Sequence, residues 1–551
     1  MLQIQNLTLI HQKDLRIIVQ DFSFSLLPGD RAVIIGEEGN GKSTLLKWIY
    51  DPAMVEDYVS GEGGCAAERA GRRILDGLLL GYLPQELTDG EKKLTVYEFY
   101  CRSMAFFDQT PRELAAIAAQ LGLPGDFFYF DQPVRLLSGG EKVKMQMARI
   151  LMEKPDILLL DEPSNDIDIE TLEWLERFIS QATQPVLFVS HDELLIERTA
   201  NVVIHLEKLE RGRSVRHTIV RQPYRDYVQQ RQDNIDRKTA LAANEEREYR
   251  KQMERFYHIQ QQVEHRQATV SRQSPSEGRL LKKKMKAVKS QERRFEREQE
   301  NRTEVPHTEL AIMVSFDESI SLPPGKRVLD YQLDHLTVEE RTLANDLSLR
   351  VMGGEKVCIV GRNGCGKSTL MKLLAAALLP RTDLKVCYMP QNYEDQLDLS
   401  KSPLEWLSIT GDKEETTQIR TYLGSMRYTP DEMFHPMSEL SGGQKAKILF
   451  LKMILSGANV LLLDEPTRNF SPLSNPIIRQ VLKDFGGSII SISHDRKYIE
   501  EVSYDSEYMY NLFSVLTYPI THGFATYKTF NCTEFVAHLL KTMNYPLDHP
   551  A

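Results

Sequence analysis

Residues 36–44 read GEEGNGKST, and residues 361–369 read GRNGCGKST. Each follows an apolar run, RAVIIG or KVCIVG, and each leads into a helix-forming run, STLLKWI or STLMKLL. A buried strand, a glycine-rich turn and a helix start form the setting in which a phosphate loop works. Glycines at Gly36, Gly39 and Gly41, and at Gly361, Gly364 and Gly366, let backbone N–H groups curl around phosphate oxygens. The helix N-terminus adds partial positive charge, and Lys42 or Lys367 reaches the terminal phosphates. Ser43 and Ser368 suit Mg²⁺ ligation, with Thr44 and Thr369 closing each loop. Glu37 and Glu38 put two negative charges in the first loop, and their side chains are expected to point to solvent.

Working outward from the loops, the repeat continues. LSGGE at 137–141 recurs as LSGGQ at 440–444, and SHD at 190–192 recurs as SHD at 493–495. One offset of 303 residues relates Ser138 to Ser441, Glu162 to Glu465 and His191 to His494, whereas Lys42 and Lys367 are 325 apart. Lys42 and Gln85 are 43 residues apart but Lys367 and Gln391 only 24, so about 19 extra residues precede Gln85. VEDYVSGEGGCAAERAGRR, at 55–73, is the expected surface insertion. The chain therefore reads as a tandem duplication.

The apolar runs DILLL (156–160) and NVLLL (459–463) have the composition of buried parallel strands, and each ends in Asp-Glu. Asp161 and Asp464 suit Mg²⁺, directly or through water. Glu162 and Glu465 suit orientation of an attacking water. His191 and His494 close further strands, VLFVSH and IISISH, and are placed to contact a γ-phosphate. The implied reaction is in-line attack of water on a γ-phosphoryl group of ATP, helped by positioning and charge neutralisation.

The 551 residues, 41% hydrophobic and 26% charged, have the composition of a globular protein of several domains. No run approaches the roughly 18 apolar residues of a membrane span. The first residues lack the basic and apolar regions of a signal peptide. Six cysteines without a CxxC pair fit a reducing, cytoplasmic setting rather than a zinc or disulfide frame. The net charge of −10 argues against nucleic acid as a partner until its distribution is considered. Residues 225–302 hold 20 Lys and Arg against 13 Asp and Glu, which leaves −17 for the rest. Apolar residues recur every seven there: Val228, Ile235, Ala242, Tyr249, Phe256 and Val263, then Leu281, Val288 and Phe295 on a return side. SPSEG at 274–278 breaks the pattern between them. This predicts two antiparallel helices zipped along a narrow seam, the first of about 40 residues. Residues 265–289 carry 8 basic side chains and 1 acidic one, so the positive charge gathers near the tip. Such a rod is either a solvated spacer or a device that presents a basic tip to phosphates.

Phosphate loop, glutamine, LSGGx, Asp-Glu and histidine occur in this order twice, so each half resembles an ABC-type ATPase domain. Two such halves joined by a charged hairpin, with DEPSNDIDIETLEWLE at 161–176, resemble the ABC-F family. The resemblance implies an α/β fold of two P-loop NTPase domains in tandem. Domains are expected at 1–220 and 306–515, a basic helical hairpin at 221–305 and a tail at 516–551. It implies a cytoplasmic ATPase that binds the ribosome, its hairpin directed at rRNA, the P-site tRNA and the peptidyl-transferase region. Members act in translation or protect ribosomes from antibiotics. It also implies a monomer whose halves pair head to tail. Lys42, Gln85, Glu162 and His191 would then share an ATP with Ser441, Gly442 and Gly443. Lys367, Gln391, Glu465 and His494 would share another with Ser138, Gly139 and Gly140. A motor subunit of a membrane transporter and an ATP-driven clamp are the competing readings.

Two places depart from the pattern. DEPTRNFSPLSN at 464–475 lacks the carboxylate that Asp168 supplies in the first copy, where it can cap the helix IETLEWLERF. Ser471-Pro472 and Asn475-Pro476 compete as helix starts, and Pro476 favours the later one, about one turn on. The second place is the segment 513–551, which has no counterpart in the first half; its Cys532 and His522 faintly resemble a cysteine hydrolase element, and a structural tail fits better.

Overall fold

The computed structural model describes residues 1–12, 17–55, 58–60, 71–208, 215–269, 283, 286, 290, 315–338, 341–426, 428–502 and 509–511. The turn expected at SPSEG, most of the expected return helix, residues 61–70 of the insertion, and His522 and Cys532 lie outside them. The described residues form two compact units: those up to Tyr224 together with those from Ile312 on, and those within Arg225–Ala311.

In the first half, β1 (Leu2–His11) and β2 (Ile17–Leu26) form an antiparallel pair. Tyr58–Ser60 and Arg72–Ile74, the two ends of the insertion, add to β1 as short strands. Then come β3 (Arg31–Ile35), α1 (Lys42–Tyr50), β4 (Leu80–Leu83), α2 (Gly139–Met152), β5 (Ile157–Asp161), α3 (Ile169–Gln181), β6 (Val186–Val189), α4 (Glu193–Thr199), β7 (Val202–Lys208) and β8 (Val215–Val220). Their sheet runs β8-β7-β3-β6-β5-β4, parallel except for the β7–β8 pair.

A single helix, α5 (Tyr224–Thr269), belongs almost wholly to the second unit. At 46 residues it exceeds the expected length and spans roughly 69 Å. Val228, Ile235, Ala242 and Tyr249 are half-buried and Phe256 is buried along a mostly exposed helix, which marks the seven-residue seam. Of the return side, Lys283, Lys286 and Ser290 are described, each helical and exposed.

The second half repeats the first. It holds β9 (Arg327–Val338), β10 (Arg341–Met352), β11 (Lys356–Val360), α6 (Lys367–Leu378), β12 (Val386–Met389), α7 (Gly442–Leu455), β13 (Val460–Asp464), α8 (Asn475–Lys483), β14 (Ser488–Ile492), α9 (Arg496–Val502) and β15 (Met509–Asn511). Its parallel sheet, β12-β13-β14-β11-β15, has the strand order of β4-β5-β6-β3-β7. Every residue of β5 and of β13 is buried, as their unbroken apolar sequence requires. Helices cover both faces, so the loops at the carboxyl ends of the strands are left to build sites.

The broken repeat is local. Asp168 caps α3 by accepting the Thr171 N–H at 3.0 Å. Its counterpart helix α8 starts at Asn475 with proline in its first turn, three residues later than the repeat would place it. Phe470 is buried against Phe450 where the first copy buries Ile167.

Candidate functional site

Both phosphate loops have the expected geometry. Gly41 and Gly366 open α1 and α6 with φ of 82° and 97°, a left-handed conformation that glycine adopts without strain. At Gly41 a β-carbon would also strike Ile18 at 2.2 Å. Each lysine is turned back onto its own loop. Lys42 Nζ donates to the carbonyls of Gly36 and Glu37 at 3.1 and 3.2 Å, and Lys367 Nζ to those of Gly361 and Arg362 at 2.8 and 3.0 Å.

The strand ends bring carboxylates to the loops. Ser43 Oγ donates to Asp161 Oδ1 at 2.7 Å, and Ser368 lies near enough to Asp464 to lower its pKa. Burial raises both aspartates above their ordinary range against the effect of the serines. Asp464 Oδ1 is buried without a partner, a poor arrangement for a carboxylate and a good one for a cation ligand. Among the described residues no three His, Cys, Asp or Glu side chains cluster as a metal site.

Glu162 and Glu465 follow these aspartates with φ of 51° and 56°, a strained conformation for a side-chain-bearing residue and a mark of functional positions. Their surroundings differ. His191 Nε2 stands 3.0 Å from Glu162 Oε1, and His191 Nδ1 is 2.9 Å from the carbonyl of Phe470 in the other half. Both ring nitrogens therefore face oxygen atoms. Burial pushes the Glu162 carboxyl up, but His191 and Lys42 outweigh it and it ends below its ordinary range. In the second half His494 Nε2 is 3.8 Å from Glu465, and His494 Nδ1 is buried without a partner. There, burial and the neighbouring Asp464 push Glu465 up to about 8, while burial and Lys367 push His494 down to about 3.

The halves meet head to tail. A cavity of about 1170 Å³ is lined from the second half by Lys367, Ser368, Asp464, Glu465 and His494, and from the first by Ser138 and Gly139. Across it Asn363 Nδ2 donates to the carbonyl of Asp166, and Arg468 pairs with the Asp166 carboxylate at 2.9 Å. Asp168 lies near enough to the Asn363 N–H for that group to lower its pKa, so the carboxylate missing from the second copy faces the second loop. A β-carbon at Gly139 would lie 1.8 Å from the Asp166 carbonyl oxygen, so this signature position tolerates no side chain. Gly140 is held as closely, against Thr171. Gln391 lines the cavity as expected; Gln85, expected with Lys42, is exposed and also lines this cavity.

At the first loop the fit is tighter. Gly39 faces Ser441, whose Cβ would lie 3.8 Å from a β-carbon at Gly39. The expectation that Glu37 and Glu38 point to solvent is overturned. Glu37 pairs with Lys447 of the other half at 3.1 Å. Glu38 remains exposed over much of its surface, yet its carboxylate lies against Gly442 and Gly443. The N-terminus of α7 attracts it, and so do Lys42 and His191.

Two features were not read from the sequence. Tyr82 donates to Asp161 Oδ2 at 3.1 Å and stacks on Tyr50. Away from both loops a buried charge network joins the halves. Arg496 pairs with Glu176 and Asp192, Arg479 with Glu193 at 2.9 Å, and Lys497 with Glu193 and Glu197 at 2.8 and 2.7 Å.

Two nucleotide-loop halves facing each other's signature loops define an ATP-hydrolysing enzyme of the ATP-binding-cassette class. The comparisons agree. The family described as ABC transporter matches residues 19–165 and 344–468. The chain is 27% identical over 522 residues to human ATP-binding cassette sub-family F member 3, covering 88% of this chain and 68% of that one. It is 28% identical over 544 residues to the Energy-dependent translational throttle protein EttA of Escherichia coli K12, covering 89% of this chain and 88% of that one. In fold it is similar to the archaeal ribosome recycling factor aABCE1, solved in complex with the ribosomal stalk protein aP1. That match has a TM-score of 0.55 at 18% identity and covers 90% of this chain and 86% of that one. The chain is thus similar to ABC proteins of the F type. Among the described residues no helix is long and apolar enough to cross a membrane.

Proposed function

We propose that this chain is a cytoplasmic, monomeric ATPase that binds the ribosome and acts on translation, its basic hairpin directed at rRNA and the P-site tRNA. The observation that carries the ATPase part is the cross-facing of each phosphate loop with the other half's Ser-Gly-Gly. The ribosomal part rests on the relatives, one of them named a translational throttle, and on the basic stretch at 265–289. Protection of ribosomes against antibiotics is a narrower form of the same reading.

In this reading each lysine leaves its own loop carbonyls and turns to the terminal phosphates. Ser43 with Asp161, and Ser368 with Asp464, hold Mg²⁺, which when bound neutralises charge on the phosphates. Glu162 and Glu465 orient the attacking water, and His191 and His494 sit beside the γ-phosphoryl group. Ser138-Gly139-Gly140 and Ser441-Gly442-Gly443 supply the other wall, where helix N-termini favour negative charge. A transporter motor is disfavoured, because both halves are fused in one chain with a charged helix between them.

The test is cosedimentation. Protein carrying Glu162→Gln and Glu465→Gln together should pellet with ribosomes when ATP is present and release when it is withheld. Failure to pellet at low salt would remove the ribosomal reading while leaving the ATPase assignment intact.

A further inference from the structure

The two phosphate loops differ in charge at two adjacent positions, Glu37 against Arg362 and Glu38 against Asn363, and at the second of these each residue reaches across the interface. In the second loop the position is Asn363, a neutral donor to the Asp166 carbonyl. In the first it is Glu38, whose carboxylate faces the opposite signature loop. A β-carbon at Gly443 would lie 2.5 Å from Glu38 Oε2, and one at Gly442 3.0 Å from Glu38 Oε1. Glu37 fastens the same segment through Lys447 at 3.1 Å, and Gly39 sits opposite Ser441. The carboxylate thus has the start of the 14-residue helix α7 before it; burial, the largest effect, and Glu162 push its pKa above the ordinary value, while His191 and Lys42 favour its charge.

An amine, a histidine and a helix N-terminus are also the groups that a terminal phosphate requires. At the second site the corresponding space is open, within the cavity of about 1170 Å³. We infer that Glu38 occupies the terminal-phosphate position of the first site and makes that site discriminate against nucleoside triphosphate relative to diphosphate. A triphosphate must expel the carboxylate or bind beside a like charge; a diphosphate ends short of it. The second site, with Asn363, carries no such bar and loads triphosphate first. This inference rests on the assignment of both loops as nucleotide sites.

The experiment measures binding, not turnover. In protein carrying Glu162→Gln and Glu465→Gln, calorimetric titration with Mg·ATP and with Mg·ADP gives the affinity of each site. Adding Lys42→Ala or Lys367→Ala assigns them, each change removing one nucleotide equivalent. The first site should bind ATP at least about tenfold more weakly than the second, while ADP affinities differ little, as expected for one like charge beside a phosphate. Glu38→Asn should remove the ATP difference and leave ADP affinity at the first site unchanged; Glu38→Gln, which removes the charge alone, should recover most of it. ATP affinity unmoved by Glu38→Asn, or ATP and ADP strengthened equally, would overturn the inference. A titration in which neither lysine change removes an equivalent would instead overturn the nucleotide-site assignment.

Discussion

His191 Nε2 lies 3.0 Å from Glu162, whereas His494 Nε2 lies 3.8 Å from Glu465. The shorter contact is set by the other half, because the Phe470 carbonyl holds the second nitrogen of His191 at 2.9 Å. The first glutamate is therefore engaged by its histidine, while the second faces an open cavity. Turnover should fall mainly to the second site. Glu465→Gln alone is expected to lower steady-state phosphate release by about tenfold or more, within the usual range for losing a positioned acid or base, and Glu162→Gln by only about two- to threefold. Equal residual rates would make the sites equivalent.

The same asymmetry has a spectroscopic counterpart in nucleotide- and metal-free protein. Glu465 is pushed up to about 8 and Glu162 lies below its ordinary range, so at pH 7 only the former keeps its proton. An infrared difference spectrum should lose a protonated-carboxyl band in Glu465→Gln and not in Glu162→Gln. The linkage has a definite sign. Between the ordinary value of 4.5 and about 8 the folded protein binds a proton at Glu465 that the unfolded chain does not. Stability from this group is thus present at low pH and falls as pH rises through that window. Glu465→Gln should flatten that slope in denaturation midpoints, and an unchanged slope would contradict the assignment.

The buried charge network makes a separate prediction about the junction of the halves. Arg496 is 4% exposed and faces Glu176 and Asp192. Removing it leaves Glu176 to Arg198 and Asp192 to the Leu195 N–H, so the loss is that of charge-assisted hydrogen bonds, about 1.5–3 kcal/mol. Urea unfolding of Arg496→Ala should begin earlier and separate into two transitions as the halves uncouple. A single transition at the original midpoint would place the coupling elsewhere.

How much of this was legible in the sequence depended on where each partner lies. The phosphate loops, the Asp-Glu strand ends and the late start of α8 follow local rules of glycine, burial and proline, and their spacing names them. Tyr82 left a signal that went unread: YLPQ at 82–85 recurs as YMPQ at 388–391, so the tyrosine repeats with the glutamine. It became interpretable only once β4 was seen paired beside β5, which ends in Asp161. Glu38 was misread because its partners, Gly442 and Gly443, lie some four hundred residues away, and the local rule for that loop position is tolerance. The Arg496, Arg479 and Glu193 network was invisible for a related reason. Charges on short amphipathic helices read as solvated faces until a second helix covers them.

The central claim is that the two halves pair head to tail within one chain. Gly39 and Ser441 are placed to test it, since their β-carbons would stand 3.8 Å apart, the separation a disulfide requires. In a background with the native cysteines replaced, Gly39→Cys with Ser441→Cys should oxidise to an intramolecular link. The product should keep monomeric mass, migrate faster on a non-reducing gel and revert with reductant. Absence of the link, or its formation only between chains, would contradict the pairing on which both sites depend.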